Sequence, residues 1–162
     1  MNTLWQSDVG LIYFRYICVQ NRSMYTEYQP SHLLAPYIDN YWEFKGNPEY
    51  GMRIHILPDG CTDFIFTLGE VANAVEEGSL IMQPYRSYFV GPMTKYSELV
   101  TYTESIHMFG VRFLPCGLSC FTNLPLHEFV NSRVSTNEMK AVFDDTFIEK
   151  LGEQKHVTDR IR

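Results

Sequence analysis

The chain has 162 residues, of which 45% are hydrophobic and 20% charged, proportions that are ordinary for a soluble globular domain with its own core. The formal net charge is −6, and the 13 Lys and Arg residues form no run along the sequence. Because nucleic-acid-binding proteins draw most of their affinity from clustered basic side chains, we expect this chain by itself to bind DNA or RNA poorly.

Residues 1–23 precede the regularly patterned part of the chain, which begins after Met24. They include an apolar stretch, Val9 to Val19, which Arg15 interrupts and which is shorter than the about 20 residues of a membrane-spanning helix. We therefore predict neither a membrane segment nor a secretory signal. Residues 1–23 are interpreted as an N-terminal extension, either upstream reading frame or a loosely attached segment, with an added strand as the alternative.

Residues 24–135 show the alternation of apolar and polar side chains that is typical of β-strands. In the segment NYWEFKG, Trp42 and Phe44 are expected on one face of a strand, opposite Glu43 and Lys45. This region is predicted to be a β domain.

The segment RIHILPDGCTDFIF, from Arg53 to Phe66, indicates a strand, a turn and a second strand. Its central Pro58-Asp59-Gly60 is typical of a turn, since Pro fixes φ, Asp hydrogen-bonds locally and Gly accepts a positive φ. We predict a hairpin whose two strands pair, with Asp63 and Phe64 on opposite faces of the second strand.

Three further strands are predicted around SYFVGP, SELVTYT and IHMFGVRF. In the last of these, Gly110 and Arg112 share a face, opposite Phe109 and Phe113. A glycine inside a strand often marks a bulge or the close approach of another group. Gly110, two residues before Arg112, is therefore expected to mark one or the other.

Residues 136–162 have a helical pattern. Ser135 and Glu138 form a capping box, which is expected to start a helix. Gly152 is expected to end that helix. The apolar residues of this helix recur at helical spacing and are Met139, Val142, Phe143, Phe147 and Leu151. The chain as a whole is predicted to be mainly β with C-terminal helices (α+β), a barrel or jelly-roll sandwich with a helical hairpin packed outside it.

The four cysteines, Cys18, Cys61, Cys116 and Cys120, show no Cys-x-x-Cys spacing. A domain of this size does not need disulfides for its stability. We therefore expect reduced thiols in a cytoplasmic protein.

Two catalytic arrangements are conceivable around the predicted hairpin. Cys61 could act as a nucleophile with His55 as its base and Asp63 nearby. Alternatively, His55 and His107 could bind a metal ion with Asp63 if their strands pair. The five histidines form no His-x-His pair, however, and no second motif supports acyl transfer. We predict that the chain is not an enzyme and holds no metal or other cofactor.

Arg112 is the charge of greatest interest on the predicted strands. An arginine on a strand face beside large apolar residues could bind a carboxylate or phosphate group inside the β domain. The alternatives are an ion pair with Asp59 or Asp63, which would hold the hairpin, and simple exposure to solvent.

Four segments, EYQPSHLLAPYIDNYWEF, ILPDGCTDFIF, YFVGPMT and FGVRFLPCGLSCFTNLPLHEF, occur in an order and at spacings that resemble the N-terminal domain of one group of AraC-type bacterial transcriptional regulators. The resemblance extends from Tyr25 to about Arg162. It implies a cupin-like β-barrel over 24–135 that senses a small-molecule effector. It also implies a segment over 136–162 that supports dimerisation and leads to a C-terminal module with two helix-turn-helix motifs. DNA binding is expected only through that module, which this chain lacks.

Candidate ligand-binding residues follow from strand parity and residue type. Apolar walls are expected from aromatic side chains, and one or two polar anchors from Arg112 or His55. The set is Tyr41, Trp42, His55, Asp59, Cys61, Asp63, Phe64 and Arg112. The helical stripe defined above is the candidate dimer interface, with core packing as its alternative, and we predict a homodimer.

Two other functions stay open at this point. One is a cupin-type metal-dependent enzyme, which would contain a stoichiometric metal ion. The other is a stand-alone small-ligand-binding protein with no DNA partner, for which a stop codon directly after Arg162 would be evidence. The sequence does not name the effector.

Overall fold

The computed structural model of the chain describes residues 17–19, 24–74, 80–139 and 145–161. These residues form two antiparallel β-sheets followed by two short helices, so the predicted mainly β fold with C-terminal helices is confirmed. The strands are β1 (Ile17–Val19), β2 (Tyr25–Tyr28), β3 (Ile38–Gly46), β4 (Arg53–Ile56), β5 (Thr62–Thr67), β6 (Ala72–Ala74), β7 (Ser87–Val90), β8 (Ser97–Thr101), β9 (Ile106–Phe113) and β10 (Arg133–Ser135).

The smaller sheet has four strands in the order β1-β4-β8-β6, and the larger has six in the order β10-β7-β5-β9-β3-β2. Within the larger sheet, the long strands β3 and β9 pair along most of their length, from Ile38 opposite Phe113 to Gly46 opposite Ile106. Strand β5 lies on the other side of β9 and is buried at every position. The six-stranded sheet is therefore covered on both faces, as the apolar content of its strands requires.

Alternation along the strands divides the apolar side chains into two clusters. The first, here called the inner core, lies between the two sheets and combines Trp42, Phe44 and Met108 of the larger sheet with Ile54 and Leu99 of the smaller. The second, here called the outer core, lies on the opposite face of the larger sheet and contains Tyr41, Phe64, Phe66, Phe89, Phe109, Phe113, Leu118 and Leu151. The predicted parity of β3, β5 and β9 is confirmed by this division.

The Pro58-Asp59-Gly60 segment corrects one prediction. Gly60 has a φ of 69° and the Asp59 side chain accepts a hydrogen bond from the Cys61 amide at 2.8 Å, so the turn chemistry is as predicted. The two flanking strands, however, do not pair: β4 pairs with β1 and β8, and β5 pairs with β7 and β9. The segment is a crossover that carries the chain from one sheet to the other.

The C-terminal segment also begins differently from the prediction. Ser135 is the last residue of β10, where it pairs with Tyr88, and it directly precedes the next helical segment. A 3-10 helix follows at Thr136–Met139, and the α-helices are α1 (Asp145–Glu153) and α2 (Val157–Arg160).

Helices α1 and α2 lie against the outer core. Leu151 is 6% exposed and belongs to that core, and Met139, Val157 and Ile161 pack against it. Two of the predicted dimer-interface residues, Met139 and Leu151, therefore contact this chain's own β-sheet. Val142 and Phe143 lie outside the described residues, and only the backbone of Phe147 is described.

Of the N-terminal 23 residues, the structure describes only Ile17–Val19, which pair with β4. Among the described residues, no helix has both the length and the apolar character needed to cross a membrane.

Candidate functional site

A cavity lies within the inner core, between the two sheets. Its volume is about 50 Å³. Most of its wall is apolar, from Phe44, Ile54, Ile56, Ile65, Met82, Val90, Met93, Leu99 and Met108. The remaining lining residues carry polar atoms and are Tyr25, Trp42, Asp59, Asp63, Arg112 and Arg133. An apolar wall with a few polar groups is the usual composition of a small-molecule site.

The polar groups are centred on Arg112 and Asp63, which are register partners on β9 and β5. The Arg112 Nε donates to Asp63 at 3.1 Å to Oδ1 and 3.3 Å to Oδ2. The Trp42 indole N–H also donates to Asp63 Oδ1, at 2.9 Å. Three neighbouring strands thus contribute to one buried hydrogen-bonded group, here called the Arg112 cluster.

Gly110 makes the Trp42 contact possible. Trp42 on β3 is the register partner of Gly110 on β9, and the indole lies over the glycine to reach Asp63 on the next strand. A Cβ placed on Gly110 would lie 2.1 Å from Trp42 Cε2, which no real contact allows. Of the two alternatives for this glycine, a bulge and a close approach, the structure therefore shows the close approach of another group.

Asp59 brings the crossover segment into the Arg112 cluster. Its Oδ2 lies 3.7 Å from Arg112 Nη1, while Oδ1 accepts from the Cys61 amide. Burial raises the pKa of Asp59, and the charge of Arg112 and the Cys61 amide oppose that rise. The ion pair that the sequence offered as an alternative role for Arg112 is therefore present, with both Asp59 and Asp63.

Arg112 keeps its charge although it is only 4% exposed. Burial alone would lower its pKa, but Asp63, Tyr25 and Asp59 together outweigh that effect and raise it above the usual value. A second arginine, Arg133, reaches the cavity from β10 and donates from Nη2 to Ser97 Oγ at 2.8 Å. The cavity lining therefore carries two arginines and two aspartates.

Tyr25 places a phenol hydroxyl in the cavity wall. Its ring lies 6.1 Å from the Trp42 ring between centroids, and the residue is 9% exposed. Burial raises the pKa of Tyr25, Arg112 opposes that rise, and Glu27 and Asp63 add to it, so the hydroxyl is protonated. These neighbours place the hydroxyl at the charged end of the cavity. The Glu27 carboxylate lies nearby, but the hydroxyl makes no hydrogen bond of normal geometry with any described group. A buried hydroxyl without a partner is uncommon and calls for an explanation.

Four of the predicted ligand-binding residues, Trp42, Asp59, Asp63 and Arg112, line this cavity. Tyr41 and Phe64 do not, because strand alternation places them in the outer core, opposite Trp42 and Asp63. The expectation that these two rings wall the ligand site is therefore corrected.

His55 and Cys61 also lie away from the cavity lining. His55 is on β4 of the smaller sheet, where its Nδ1 contacts the Tyr96 hydroxyl and lies 3.5 Å from Glu98 Oε2. Cys61 is buried beside Asp59, and burial, together with that carboxylate, raises the pKa of its thiol to about 12. Because β4 and β5 belong to different sheets, the conceivable group of His55, Cys61 and Asp63 is not assembled.

The conceivable metal site is not assembled either. His107 on β9 lies on the opposite face from Arg112 and contacts Glu43, with Nε2 at 2.9 Å from Oε1. Strands β4 and β9 do not pair, so His55 and His107 do not meet. No group of three His, Cys, Asp or Glu side chains suited to a metal ion occurs among the described residues.

The sequence interpretation missed Tyr25, Arg133, Met82 and Met93 as cavity residues. Tyr25 could have been found, because β2 pairs with β3 and places Tyr25 opposite Phe44, an inward position. Arg133 lies on β10, a strand of three residues whose sequence carries no clear alternation. Met82 and Met93 lie in loops on either side of β7, where no periodicity indicates a direction.

Together the fold and site define a two-sheet antiparallel β domain with a cavity that is apolar along its walls and charged at one end. Residues 26–135, well over half of the chain, match the family described as a domain of unknown function, DUF6597, and the chain belongs to that family. The comparison with curated proteins found no match, and neither did the comparison with solved structures.

Proposed function

We propose that this chain is the effector-sensing domain of a bacterial transcription regulator of the AraC type, with the two sheets forming its cupin-like jelly-roll. The observation that carries the proposal is the inner-core cavity with the Arg112 cluster at one end. The motifs that resemble AraC-type regulators contribute residues to this cavity, with Asp59 and Asp63 from ILPDGCTDFIF and Arg112 from the strand FGVRF.

The chemistry of the cavity favours binding over nucleophilic catalysis. Asp63 already accepts hydrogen bonds from Trp42 and Arg112, so it is held as a structural acceptor. The Cys61 thiol is protonated near neutral pH because burial raises its pKa to about 12, and a thiol is a poor nucleophile. The proposed role of the cavity is therefore to report on a bound molecule in the cytoplasm.

Ligand binding in the cavity could affect helix α2 through strand β3. Trp42 lines the cavity, and the next residue, Glu43, accepts a hydrogen bond on the outer face from Arg160 Nη1 at 2.8 Å. Arg160 belongs to α2, near the end of the chain. A ligand that moves the Trp42 indole would shift β3 and thereby favour one position of α2 over another, which is the differential binding that a population shift requires.

The proposal places DNA binding in a helix-turn-helix module that would follow residue 162, and it includes a homodimer. Since Leu151 is occupied by the chain's own outer core, the dimer contact would use other surfaces of the C-terminal segment or a rearranged position of it. Translation of the reading frame beyond Arg162 tests this part. A basic, helix-patterned continuation supports the regulator, whereas an immediate stop codon supports a stand-alone binding protein.

The binding function is tested by blocking the cavity. Val90 lines it and is 6% exposed, so Val90→Phe should fill part of the space; Val130→Phe, at a 39% exposed position, is the matched control. In a thermal-shift screen of small metabolites, a ligand at 100 times its Kd should add about 2.7 kcal/mol to the free energy of unfolding. We expect compounds that stabilise the wild type and Val130→Phe but not Val90→Phe. Shifts that persist in Val90→Phe would count against the cavity as the binding site.

A further inference from the structure

We propose that the cavity binds a neutral, mainly apolar small molecule that carries a hydrogen-bond acceptor, a carbonyl or hydroxyl oxygen, and that the Tyr25 hydroxyl donates to this acceptor. The inference rests on the proposed ligand-binding function and narrows it to a chemical class. It follows from three properties of the described lining residues: their balanced charges, the unpaired hydroxyl and the shape of the apolar wall.

The balance of charge argues for a neutral ligand. The lining carries the arginines 112 and 133 and the aspartates 59 and 63, so their formal charges cancel. An anionic ligand at Arg112 would have to displace Asp63, which accepts from Nε at 3.1 Å and 3.3 Å, and an anion beside either arginine would leave the lining with a net negative charge. The displaced aspartate would be left as an uncompensated buried charge, which is strongly unfavourable. A cationic ligand would have to displace an arginine from the aspartates, and that arginine would be left as an uncompensated buried charge.

The Tyr25 hydroxyl supplies the polar contact that the cavity still lacks. It is buried, and it lies near Arg112 and Asp63 at the charged end. The Glu27 carboxylate is also nearby, but it does not reach the hydroxyl with normal hydrogen-bond geometry. A buried donor without an acceptor is unfavourable, and a ligand oxygen in front of it would remove that penalty. Since the hydroxyl is protonated, it can donate to an oxygen that carries no proton of its own.

The rest of the wall fits an apolar body of variable shape. Trp42 and Phe44 supply flat aromatic surfaces, and Met82, Met93 and Met108 supply flexible thioether side chains. Methionine adjusts to irregular apolar shapes because it is unbranched and polarizable. The ligand is therefore a short hydrocarbon or ring compound with its oxygen directed towards Tyr25.

Four probes of similar size separate these properties. Hexan-2-one carries a carbonyl acceptor, 2-methylhex-1-ene replaces that oxygen by carbon, hexanoate carries a negative charge, and hexylammonium carries a positive one. Their affinities are measured by ligand-observed NMR titration against the wild type and Tyr25→Phe, which removes only the hydroxyl. Tyr102→Phe is the matched control, since Tyr102 is 66% exposed and lies outside the cavity lining.

We expect the wild type to bind hexan-2-one more tightly than either charged probe, by about 10-fold or more. Tyr25→Phe should lower the affinity for hexan-2-one by about 3- to 10-fold, which is the effect of losing one neutral hydrogen bond. The affinity for 2-methylhex-1-ene should not change. Tyr102→Phe should match the wild type with every probe.

Two results would overturn the inference while leaving the binding cavity in place. Equal affinity of hexan-2-one for wild type and Tyr25→Phe would exclude the Tyr25 contact. If hexanoate or hexylammonium bound as tightly as the ketone, the claim that the cavity selects neutral ligands would be wrong. In either case Val90→Phe should still abolish binding. If neither the ketone nor the alkene binds the folded wild type at millimolar concentration, the inference fails together with the proposed binding function.

Discussion

The two faces of the six-stranded sheet are made by the same strands, yet they are filled differently. On the outer face, the aromatic side chains of Phe64, Phe66 and Phe109 pack with one another and with Leu151 of α1. On the inner face, the alternate residues of the same strands, among them Asp63 and Arg112, surround a cavity. Phe64 and Phe109 are each 1% exposed, so the outer face is solid core. Among the described residues, the inner face encloses a cavity that a small molecule could enter.

Each face also contains one arginine bonded to a carboxylate from the sheet. Inside, Arg112 and Asp63 are both on strands and are held by Trp42. Outside, Arg160 of α2 donates to Glu43 at 2.8 Å and to the Leu151 and Gln154 carbonyls at 3.2 Å and 2.8 Å. The inner pair therefore fixes the floor of a cavity, whereas the outer pair fastens a terminal helix.

The comparison teaches where a ligand-responsive change can occur in such a fold. Close-packed interiors resist displacement, because shifting one side chain disturbs all its neighbours. A cavity wall can adjust on one side without that cost. Because Trp42 and Glu43 are adjacent on β3, the proposed sensing mechanism would pass an adjustment on the inner face to the helix contact on the outer face.

The largest predicted effect separates the two arginines. Arg112→Met should reduce the free energy of unfolding by about 3–5 kcal/mol, because Asp63 and Asp59 lose their buried counter-charge. Arg160→Met should cost less, about 1–3 kcal/mol, since Glu43 keeps its contact with His107. Urea unfolding followed by circular dichroism measures both.

The opposite order of these two variants, or equal losses, would mean that the inner pair is not the more tightly integrated of the two. Arg53→Met provides the surface reference, because Arg53 pairs with Glu98 but its side chain is 61% exposed. Exposed ion pairs contribute little, so this variant should lose no more than about 1 kcal/mol.

An intermediate effect is predicted for Gly110→Ala. The new methyl group would occupy the space of the Trp42 indole, which must move and give up its bond to Asp63. Overpacking of this kind typically destabilises by about 1–3 kcal/mol. Gly152→Ala on α1 is the control with the opposite sign, since its Cβ would meet only Leu68 Cδ2 at 4.0 Å and alanine favours helix by up to about 1 kcal/mol. Unchanged Trp42 fluorescence and stability in Gly110→Ala would contradict the close approach.

Local alternation made a large part of the site predictable. The parity within each of β3, β5 and β9 follows from residue type alone, but the register that brings Trp42, Asp63 and Arg112 to one face came only with the structure. The turn chemistry of Asp59 and Gly60 was equally local. These four polar or aromatic cavity residues, Trp42, Asp59, Asp63 and Arg112, were all named from the sequence.

Non-local pairing was not predictable in the same way. A turn sequence such as Pro58-Asp59-Gly60 fits a hairpin and a crossover equally well, because it fixes only its own backbone. Which strand pairs with β4 depends on contacts about forty residues away, with β8, and this decided that His55 lies far from Asp63. For the same reason Arg133, paired through β10 to β7, could not be placed at the cavity.

The smallest predicted effect concerns His107, on the outer face. Burial lowers the pKa of His107 below its ordinary value of 6.5, a shift that Glu43 opposes and that Lys45 and Arg160 reinforce. The unfolded chain therefore takes up a proton at higher pH than the folded protein does, so stability falls as the pH drops below about 6.5 and levels off below the folded-state pKa.

His107→Gln retains a side chain that can donate to Glu43 but does not titrate. The stability advantage of wild type over this variant should therefore increase as the pH rises from below the folded-state pKa to above 6.5, as measured by urea unfolding at closely spaced pH values. His32→Gln, at an exposed position, serves as the matched histidine variant. Parallel pH profiles for wild type and His107→Gln would show that the pKa of His107 is the same in the folded and unfolded chain, whereas diverging profiles would show that it is lowered in the folded protein.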